Sequence, residues 1–479
     1  MSVAVGLDIG TTSISAASVS RDGGVTAVSR SNDASVGGRP AGCAEQNPRR
    51  LREIAIEVLR ELASRLTESP HCLGLTGQMH GGLLVDARRR PLSNLITWQD
   101  RRATQVSPTG RTWLEEFRER CPTGGFEGTG CQPSAGYLAV TLFTLIGQGE
   151  MPSGAAIAAC AADWIAAELC GGPIVTDPTH AASTGAFDVR DGTWSHELIE
   201  AGELDAALFP RVSPSGEPIG RLRRDIARAV GLPEGLPVCN SVGDNQAAFL
   251  GCVPFGDPSV NINVGTGGQI SWPVADFVRA AGMDTRPLPP DRFLLVGAGL
   301  VGGDAYAWMG RTVAKWLAEF GGAVDAEAIF AHFDELAEAA PEDCGGLRCE
   351  PLFRGTRQRP DVRGTFAGVD AENFTPGNAA RAVLTGIAEG FRSLWMEAGE
   401  SRPTRFERII GSGNGLRKNP LLARIIARTF GKEVWLPRHR EEAAVGAAIL
   451  AGGRTGFRRG LADAERQIRL ERAAAPSFR

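Results

Sequence analysis

The stretch that decides the fold is the start of the chain, Val3-Ala4-Val5-Gly6-Leu7-Asp8-Ile9-Gly10-Thr11-Thr12-Ser13. Its apolar first half predicts a buried strand, which ends in an acid, a glycine and three hydroxyl residues. Gly10 permits a tight turn that a side chain would hinder. β-Branched and apolar residues follow, so the pattern predicts a second strand and hence a hairpin.

The hydroxyl residues after this turn suit a phosphate group, because their amides and side chains can surround phosphate oxygens. Asp8 would repel a phosphate in direct contact. Its position is explained if Mg²⁺ lies between the carboxylate and the phosphate. An ordinary tight hairpin, in which Asp8 accepts hydrogen bonds from the turn, explains the same residues. The stretch by itself favours neither interpretation.

The pattern recurs in the second half of the chain as Asn261-Ile262-Asn263-Val264-Gly265-Thr266-Gly267-Gly268-Gln269-Ile270-Ser271. When the copies are aligned on their glycines, Gly10 matches Gly265, and each copy is a strand, a Gly-Thr turn and a strand. Asn263 replaces Asp8, so only the first copy carries the acid. Two such loops, one in each half of the chain, can hold one polyphosphate from both sides, which favours the phosphate interpretation.

The order of the predicted elements indicates the fold class. Residues 3–37 predict three antiparallel strands, residues 47–67 an amphipathic helix, and residues 72–76 a short buried strand. This order is typical of a ribonuclease H-like unit, and the hairpin pattern restarts at Ser259. We therefore expect an α/β fold of two ribonuclease H-like domains with a catalytic cleft between them.

A chain of 479 residues is too long for a single core and fits two domains. We place them at residues 1–240 and 241–479. Within the first domain, residues 155–169 predict an Ala-rich helix. The Arg-rich stretch 454–479 is interleaved with acidic residues and predicts a solvated terminal helix.

Composition and charge exclude several classes of function. The formal net charge of −4 gives no reason to expect nucleic acid or an anionic membrane as a partner. No apolar run is long enough for a transmembrane helix, and the chain starts directly with a strand instead of a signal peptide. Ten cysteines without a CxxC pair predict a cytoplasmic protein with reduced cysteines and no zinc site.

The segment Gly243-Asp244-Asn245-Gln246 follows a predicted strand and opens a predicted helix. An Asp at such a junction can reach into a cleft and take a proton from a hydroxyl group, which is the chemistry of a phosphotransferase base. Alternatively, Asp244 only caps the helix. In isolation the cap is the better explanation. The two phosphate loops in the same chain make the catalytic role the stronger one.

Two further groups of polar residues follow predicted strands in the first domain. They are Gln78, Met79 and His80 in one group, and Trp98, Gln99 and Asp100 in the other. A sugar needs convergent donors and acceptors together with an aromatic face for its C–H surface. His80 could instead be a hydrogen-bonded core histidine. We prefer sugar contact, because polar residues cluster at strand ends in α/β folds.

The segment Gly411-Ser412-Gly413-Asn414, followed by Asn419, suits an adenosine pocket. The glycines let a base approach the backbone, and Asn side chains can bind base or ribose edges. An ordinary strand-to-helix turn explains the segment nearly as well.

Taken together, these motifs resemble those of the FGGY carbohydrate kinases, which share the duplicated fold of actin and Hsp70. The resemblance covers nearly all of the chain, from Asp8 to about Leu450. It implies phosphorylation of a sugar hydroxyl by ATP with Mg²⁺, Asp244 as the base, and closure of the two domains. It also implies metal contact by Asp8, through water, and by Asp244, and sugar contact by Asn245.

The implied partners are a small-molecule sugar and ATP, with a homodimer as an allowed assembly. Residues 1–240 would bind the sugar and residues 241–479 the nucleotide. The implied phosphate contacts are made by Gly10, Thr11, Thr12, Ser13, Gly265, Thr266 and Gly267. The implied adenosine contacts are made by Gly411, Ser412, Gly413, Asn414 and Asn419.

Within the family, Gln78-Met79-His80-Gly81 is similar to members that act on ketoses. The runs Leu95–Arg102, Gly128–Cys131 and Ala181–Gly185 most resemble sedoheptulose kinases, which implies phosphorylation of sedoheptulose at its 7-hydroxyl. Asn245 is more similar to the xylulose kinases, which implies xylulose 5-phosphate as the alternative product. Another ketose or polyol is a further alternative.

An alternative from a different class is a nucleotide-driven interaction protein of the Hsp70 or actin kind. Such proteins share the two phosphate loops, but they need a partner-binding domain or polymer contacts. The set Gln78, His80, Trp98 and Asp100 would then be unexplained, so the sequence favours the kinase.

Overall fold

The computed structural model describes residues 2–322, 326–355, 361–403, 405–463 and 468–476. Within these ranges it contains two large mixed sheets. The strands of the first sheet are β1 (Ser2–Ile9), β2 (Ser13–Ser20), β3 (Val25–Ser31), β4 (Ser69–Gly77), β5 (Pro218–Arg221) and β6 (Pro237–Gly243). The strands of the second are β7 (Val260–Val264), β8 (Gly267–Val274), β9 (Asp284–Leu288), β10 (Arg292–Val301), β11 (Arg408–Ser412), β12 (Glu433–Pro437) and β13 (Leu470–Ala474).

The first sheet has the strand order β5-β6-β4-β1-β2-β3. The central strands β6, β4 and β1 are parallel, and the outer strands pair antiparallel. Most residues of β1 are buried, as expected for a strand covered on both faces. The predicted hairpin of β1 and β2 is confirmed, with Asp8 opposite Ser15.

The second sheet repeats this arrangement in the order β9-β10-β8-β7-β11-β12-β13. Strands β7, β11 and β12 are its parallel centre, β7 and β8 form the second hairpin, and β13 closes the edge antiparallel, as β5 does in the first sheet. Strand β9 is an addition at the other edge. The predicted duplication and fold class are confirmed.

The described helices are α1 (Pro48–Arg65), α2 (Trp113–Arg120), α3 (Leu138–Gln148), α4 (Ala161–Cys170), α5 (Pro178–Ser183), α6 (His196–Ala201), α7 (Arg224–Val230), α8 (Asp244–Cys252), α9 (Gly303–Glu319), α10 (Ala326–Ala339), α11 (Pro376–Glu397), α12 (Asn414–Lys418), α13 (Pro420–Phe430) and α14 (Glu442–Arg454). Helix α1 starts where Asn47 accepts hydrogen bonds from the first amides and Pro48 occupies the first turn. None of the described helices is long and apolar enough to cross a bilayer.

Smaller elements fill the segment between β4 and β5. Their short strands form two-stranded ladders, and α2, α3 and α6 pack into a separate hydrophobic cluster. The paired short strands in this segment and elsewhere are Glu45–Gln46 with Leu95–Ile96, Leu83–Val85 with Ile157–Ala159, Val175–Thr176 with Arg211–Val212, Phe187–Asp188 with Thr193–Trp194, and Arg348–Glu350 with Thr365–Ala367.

Two predictions differ from the structure. The helix expected over residues 155–169 starts only at Ala161, because Ile157–Ala159 is a strand paired with Leu83–Val85. The expected terminal helix over 454–479 is replaced by β13, which pairs with β12. Residues 464–467 and 477–479 of that stretch lie outside the described residues. The strands Ile157–Ala159 and β13 form because each pairs with a strand that is distant in the chain. The local charge and alanine content do not reveal that pairing.

Helices α8 and α14 pack against each other and connect the two halves of the chain. A Cβ on Gly446 of α14 would lie 1.8 Å from the carbonyl oxygen of Ala247 in α8, and one on Gly251 would lie 2.0 Å from that of Glu442. On the other side, a Cβ on Gly6 of β1 would lie 1.9 Å from the carbonyl oxygen of Ala444. The backbones approach this closely only because glycines stand at the contacts.

Candidate active site

The carboxyl ends of the parallel strands in the first sheet lie side by side. Ile9 of β1 is in register with Gly77 of β4, and Gly77 is in register with Gly243 of β6. The turn at Gly10, the segment starting at Gln78, and Asp244 therefore leave one edge of the sheet together. Ligands of open α/β sheets bind at this edge.

The turn after β1 requires its glycine. A Cβ on Gly10 would lie 2.6 Å from the carbonyl oxygen of Ser13. Asn32 donates its side-chain amide to the Gly10 carbonyl at 2.9 Å, and Gln46 donates to the Thr11 carbonyl at 2.8 Å. These bonds occupy the carbonyl oxygens of Gly10 and Thr11 and fix the backbone of the turn.

Asp8 lies beside this turn with its Oδ1 atom buried and without a hydrogen-bond partner among the described residues. Burial raises the pKa of its carboxyl well above the usual value, and the nearby Asp244 and Glu441 carboxylates raise it further. A half-buried acid with one buried oxygen that no described residue bonds fits a cation, so the residues present are compatible with Mg²⁺. Within the described ranges no three His, Cys, Asp or Glu side chains converge on one metal position. Coordination through water and phosphate is consistent with that arrangement.

Asp244 is the first residue of α8, and Gly243 occupies the cap position without a side-chain cap. Burial raises the pKa of Asp244 to about 6, and the positive His180 opposes that rise. A carboxylate with a pKa close to neutrality is suited to general-base catalysis. Gly243 holds the N-cap position, while backbone hydrogen bonds at the start of α8 reach the Asp244 carboxylate and also oppose the rise of its pKa.

Met79, which with His80 was predicted to contact the sugar, lies next to β6. A Cβ on Gly243 would lie 2.7 Å from the Met79 sulfur. His80 adopts a left-handed backbone conformation with φ of 73°. Its Nδ1 donates to the Ser183 carbonyl at 2.9 Å, and its ring stacks on Tyr137 with the centroids 4.3 Å apart. His80 is thus held in an unusual conformation at the strand end, which is typical of a functional position.

A chain of hydrogen bonds joins Trp98 to the first phosphate loop. The Trp98 indole is 43% exposed, and its Nε1 donates to Thr11 Oγ1 at 3.0 Å. Thr11 Oγ1 donates to Gln78 Oε1 at 3.2 Å, and Gln78 Nε2 donates to Gln46 Oε1 at 2.9 Å. Three of the predicted residues therefore form one network. Gln46 is a member that the sequence analysis missed, because nothing in its local sequence points to this edge.

The second loop is covered by the segment that starts α9. The Gly303 amide donates to the Gly265 carbonyl at 2.9 Å, and the Asp304 amide donates to the Thr266 carbonyl at 3.0 Å. A Cβ on Gly302 would lie 2.3 Å from the Gly267 carbonyl oxygen. The loop and the start of α9 thus form one unit. In the sequence, the only indication of this contact was the pair of glycines at 302 and 303.

The third predicted loop lies beside the second. Strands β7 and β11 are parallel neighbours, with Asn263 in register with Ser412. Gly413 has φ of 83°, and a Cβ there would lie 2.5 Å from the Val264 carbonyl oxygen. The predicted run from Gly411 to Asn414 is therefore placed next to the second phosphate loop.

The two halves of the chain each match a known family. Residues 3–251 match the N-terminal domain of the FGGY family of carbohydrate kinases, and residues 270–453 match its C-terminal domain. The chain belongs to the FGGY carbohydrate kinase family. It is an ATP-dependent carbohydrate kinase, and the interaction-protein alternative no longer applies.

Curated relatives of this FGGY kinase include enzymes with different substrates. The chain is 30% identical to a glycerol kinase of Leptothrix cholodnii over 468 residues, covering 91% of this chain and 88% of the relative. It is 25% identical to the sedoheptulokinase of Mus musculus over 483 residues, covering 94% and 97% of the two chains. The family relationship thus includes both a polyol kinase and a ketose kinase.

Solved structures agree with the fold of this FGGY kinase. Gluconate kinase from Lactobacillus acidophilus superposes with a TM-score of 0.86 at 20% identity, covering 99% of this chain and 94% of that one. Xylulose kinase from Rhodospirillum rubrum superposes with a TM-score of 0.84 at 26% identity, with the same coverage.

Two predicted contact residues of the kinase use their side chains within the protein. Asp100 is 1% exposed, and it accepts hydrogen bonds from the Ala44 amide and from the backbone and guanidinium of Arg102. Asn419 accepts from the Leu422 amide at 2.8 Å and donates to Asp334 at 3.0 Å. The carboxylate expected to contact the sugar is therefore part of an ion pair, and the amide expected to contact adenosine caps α13.

Asn245 links the two halves of the kinase. Its Nδ2 donates to Oε1 of Gln269, the residue opposite Asn263 in the second hairpin, at 2.6 Å. Its Oδ1 is buried without a partner among the described residues. A sugar hydroxyl is a donor that could satisfy this oxygen. The sequence analysis placed Asn245 at the sugar but did not anticipate its bond to the second half.

Proposed function

We propose that this kinase transfers the terminal phosphoryl group of ATP to a ketose, with sedoheptulose as the preferred acceptor and sedoheptulose 7-phosphate as the product. The observation that carries the proposal is the meeting of Asp244, the Gly10 turn and the Gln78–His80 segment at one edge of the first sheet. A base, a phosphate loop and polar groups for a polyol are what such a transfer requires.

In this proposal Asp244 accepts the proton of the attacking hydroxyl, and the turns at Gly10 and Gly265 bind the phosphates. Residues 1–240 bind the sugar and residues 241–479 the nucleotide. Asp8 would hold Mg²⁺ through water, and the ion would supply positive charge to the transferring group. The buried, unpaired Oδ1 of Asp8 supports that role.

The sugar assignment rests on the ketose-type segment Gln78-Met79-His80 and on the likeness to sedoheptulokinases over 94% of the chain. In the structure, Trp98 presents its exposed indole beside Thr11 and Gln78, which gives an apolar face next to polar groups. A long polyol offers more hydroxyls to pair with such groups than glycerol does. Unpaired polar groups in a site discriminate strongly against shorter substrates.

Glycerol and xylulose are the competing acceptors. The glycerol kinase of Leptothrix cholodnii has the higher identity, at 30%. The likeness to the xylulose kinase from Rhodospirillum rubrum favours xylulose as the acceptor. The resemblance of Asn245 to xylulose kinases favours it too. For xylulose the product would be xylulose 5-phosphate.

A substrate panel tests the proposal. ADP formation is measured with ATP and Mg²⁺ against sedoheptulose, xylulose, fructose and glycerol, and kcat/KM is compared. We expect the highest value for sedoheptulose. A higher value for xylulose or glycerol would replace the acceptor while leaving the kinase intact. The variant Asp244→Asn, run on the same panel, separates enzymatic transfer from contaminating activity.

A further inference from the structure

A fully buried ionic cluster lies beside β6, the strand that ends at Gly243 just before Asp244. His180 and Asp177 are 0% exposed, and Asp163 is 1% exposed. The His180 Nδ1 atom is 2.9 Å from Asp177 Oδ1 and 4.0 Å from Asp163 Oδ1. Charged groups are rarely buried to this extent unless they are paired, so the cluster is a built feature of the interior.

At neutral pH the His180 imidazole of the cluster is protonated, whereas burial raises the pKa of the neighbouring Asp163 to about 6. Burial alone would lower the pKa of His180, but the Asp163 and Asp177 carboxylates raise it to about 9. Hydrogen bonds from His180 and Ser215 keep the pKa of Asp177 below its usual value although burial opposes them. At neutral pH an imidazolium is therefore held between two acids.

Two hydroxyl groups connect this cluster to β6. Thr179 Oγ1 donates its only proton to Asp177, so a lone pair remains to accept the Gly243 amide at 2.6 Å. Ser241 Oγ donates to Asp163 and lies 3.1 Å from His180 Nδ1. The cluster thus holds the strand at Ser241 and Gly243, and Asp244 is the next residue.

We propose that Thr179 and His180 are positioning residues for Asp244. Thr179 holds the Gly243 amide directly, and His180 holds Ser241 together with Asp163, so both fix the end of β6 and hence the place of the catalytic carboxylate. The inference rests on the proposed role of Asp244 as the base. Neither residue contacts the reacting atoms. When a catalytic base is displaced by about 1 Å, the reaction can slow by about 10²-fold. Such sensitivity explains why buried charged groups are retained next to Asp244.

The first variant is Thr179→Val, which keeps the shape of the side chain and removes the acceptor of the Gly243 amide. We expect kcat to fall roughly 10- to 100-fold, with the KM values for sugar and ATP changed less than about three-fold. Thr179→Ser restores the hydroxyl and should restore most of kcat. The matched control is Thr144→Val, because Thr144 is equally buried but bonds only the Val140 carbonyl within α3.

A second variant keeps the test decisive if Thr179→Val does not fold. His180→Asn removes the positive charge while keeping a donor for Asp177, and we expect the same loss in kcat with little change in KM. Its control is His439→Gln, which alters a half-buried histidine that is bonded to the Gly251 carbonyl. Folding of every variant is checked by thermal unfolding.

The outcomes separate the two claims. A normal kcat in Thr179→Val, an effect on KM alone, or no rescue by Thr179→Ser would overturn the positioning proposal. Asp244→Asn is assayed in parallel. If that variant retains activity, the proposed role of Asp244 as the base is wrong. If it is inactive while Thr179→Val is normal, only the positioning role fails.

Discussion

Asp244 lies one residue beyond the end of β6, at the edge where β1 and β4 also end. Asp244→Asn keeps the size of the side chain and removes the base. We expect kcat to fall by about 10²–10⁴-fold, the usual contribution of a general base, while ATP and sugar still bind. ADP formation and calorimetric binding check this. Turnover within a few-fold of the wild type would mean that Asp244 has no catalytic role.

The pH dependence of the reaction follows from the raised pKa of Asp244. Because burial brings that pKa to about 6, the carboxylate is protonated below this pH and can no longer accept a proton. We expect kcat/KM to decrease as the pH falls through about 6, and to be flat above it until another group titrates. Initial rates between pH 5 and 8 measure this profile. A profile that stays flat from pH 8 down to pH 5 would indicate a base with an ordinary carboxyl pKa.

Asp8 has one buried oxygen without a partner among the residues that the structure describes, and its carboxyl pKa is raised by burial and by the neighbouring acids. Asp8→Ala removes the residue proposed to orient the metal. We expect a higher Mg²⁺ concentration for half-maximal rate and a lower kcat, with a smaller effect on sugar affinity. Rates measured over a Mg²⁺ titration test this. The control is Asp225→Asn, which changes an exposed acid and should leave the metal dependence unaltered. An unchanged Mg²⁺ dependence in Asp8→Ala would exclude Asp8 from the metal site.

At the scale of elements, the contact between α8 and α14 depends on backbone approach. Gly446→Ala places a Cβ 1.8 Å from the Ala247 carbonyl oxygen, so the helices must separate. Gly390→Ala is the matched control, since a Cβ there meets nothing within 4 Å in the helix α11. We expect Gly446→Ala to lower the Tm. Gly390→Ala should raise the stability by about 0.5–1 kcal/mol, because alanine favours helix. Equal effects would show that α14 does not need this close contact.

For the whole molecule, the two phosphate loops belong to different sheets, and closure of the halves would exclude water from the transferring group. We therefore expect ATP hydrolysis without sugar to be slow compared with transfer to the preferred sugar. ADP release with and without the acceptor measures the ratio. An ATPase that runs at the kinase rate without sugar would argue against sugar-dependent closure.

The sequence alone determined the features that are written in short local patterns. The hairpins at Gly10 and Gly265, their duplication and the position of Asp244 at a strand end were all predictable. A strand, a glycine turn and a following helix depend on residues that are neighbours in the chain. Apolar runs and glycines therefore predict them directly. The family resemblance followed from the order of these same motifs.

Only the tertiary structure decided which polar atoms at those positions are already bonded. Asp100 follows a strand as expected, but Arg102 and the Ala44 amide occupy its oxygens. Gln46 and Thr179 reach the site from segments with no motif of their own. Hydrogen bonds between residues far apart in the chain leave no periodic signal in sequence. Burial and pairing, which set charge and position, arise only when the distant segments pack together.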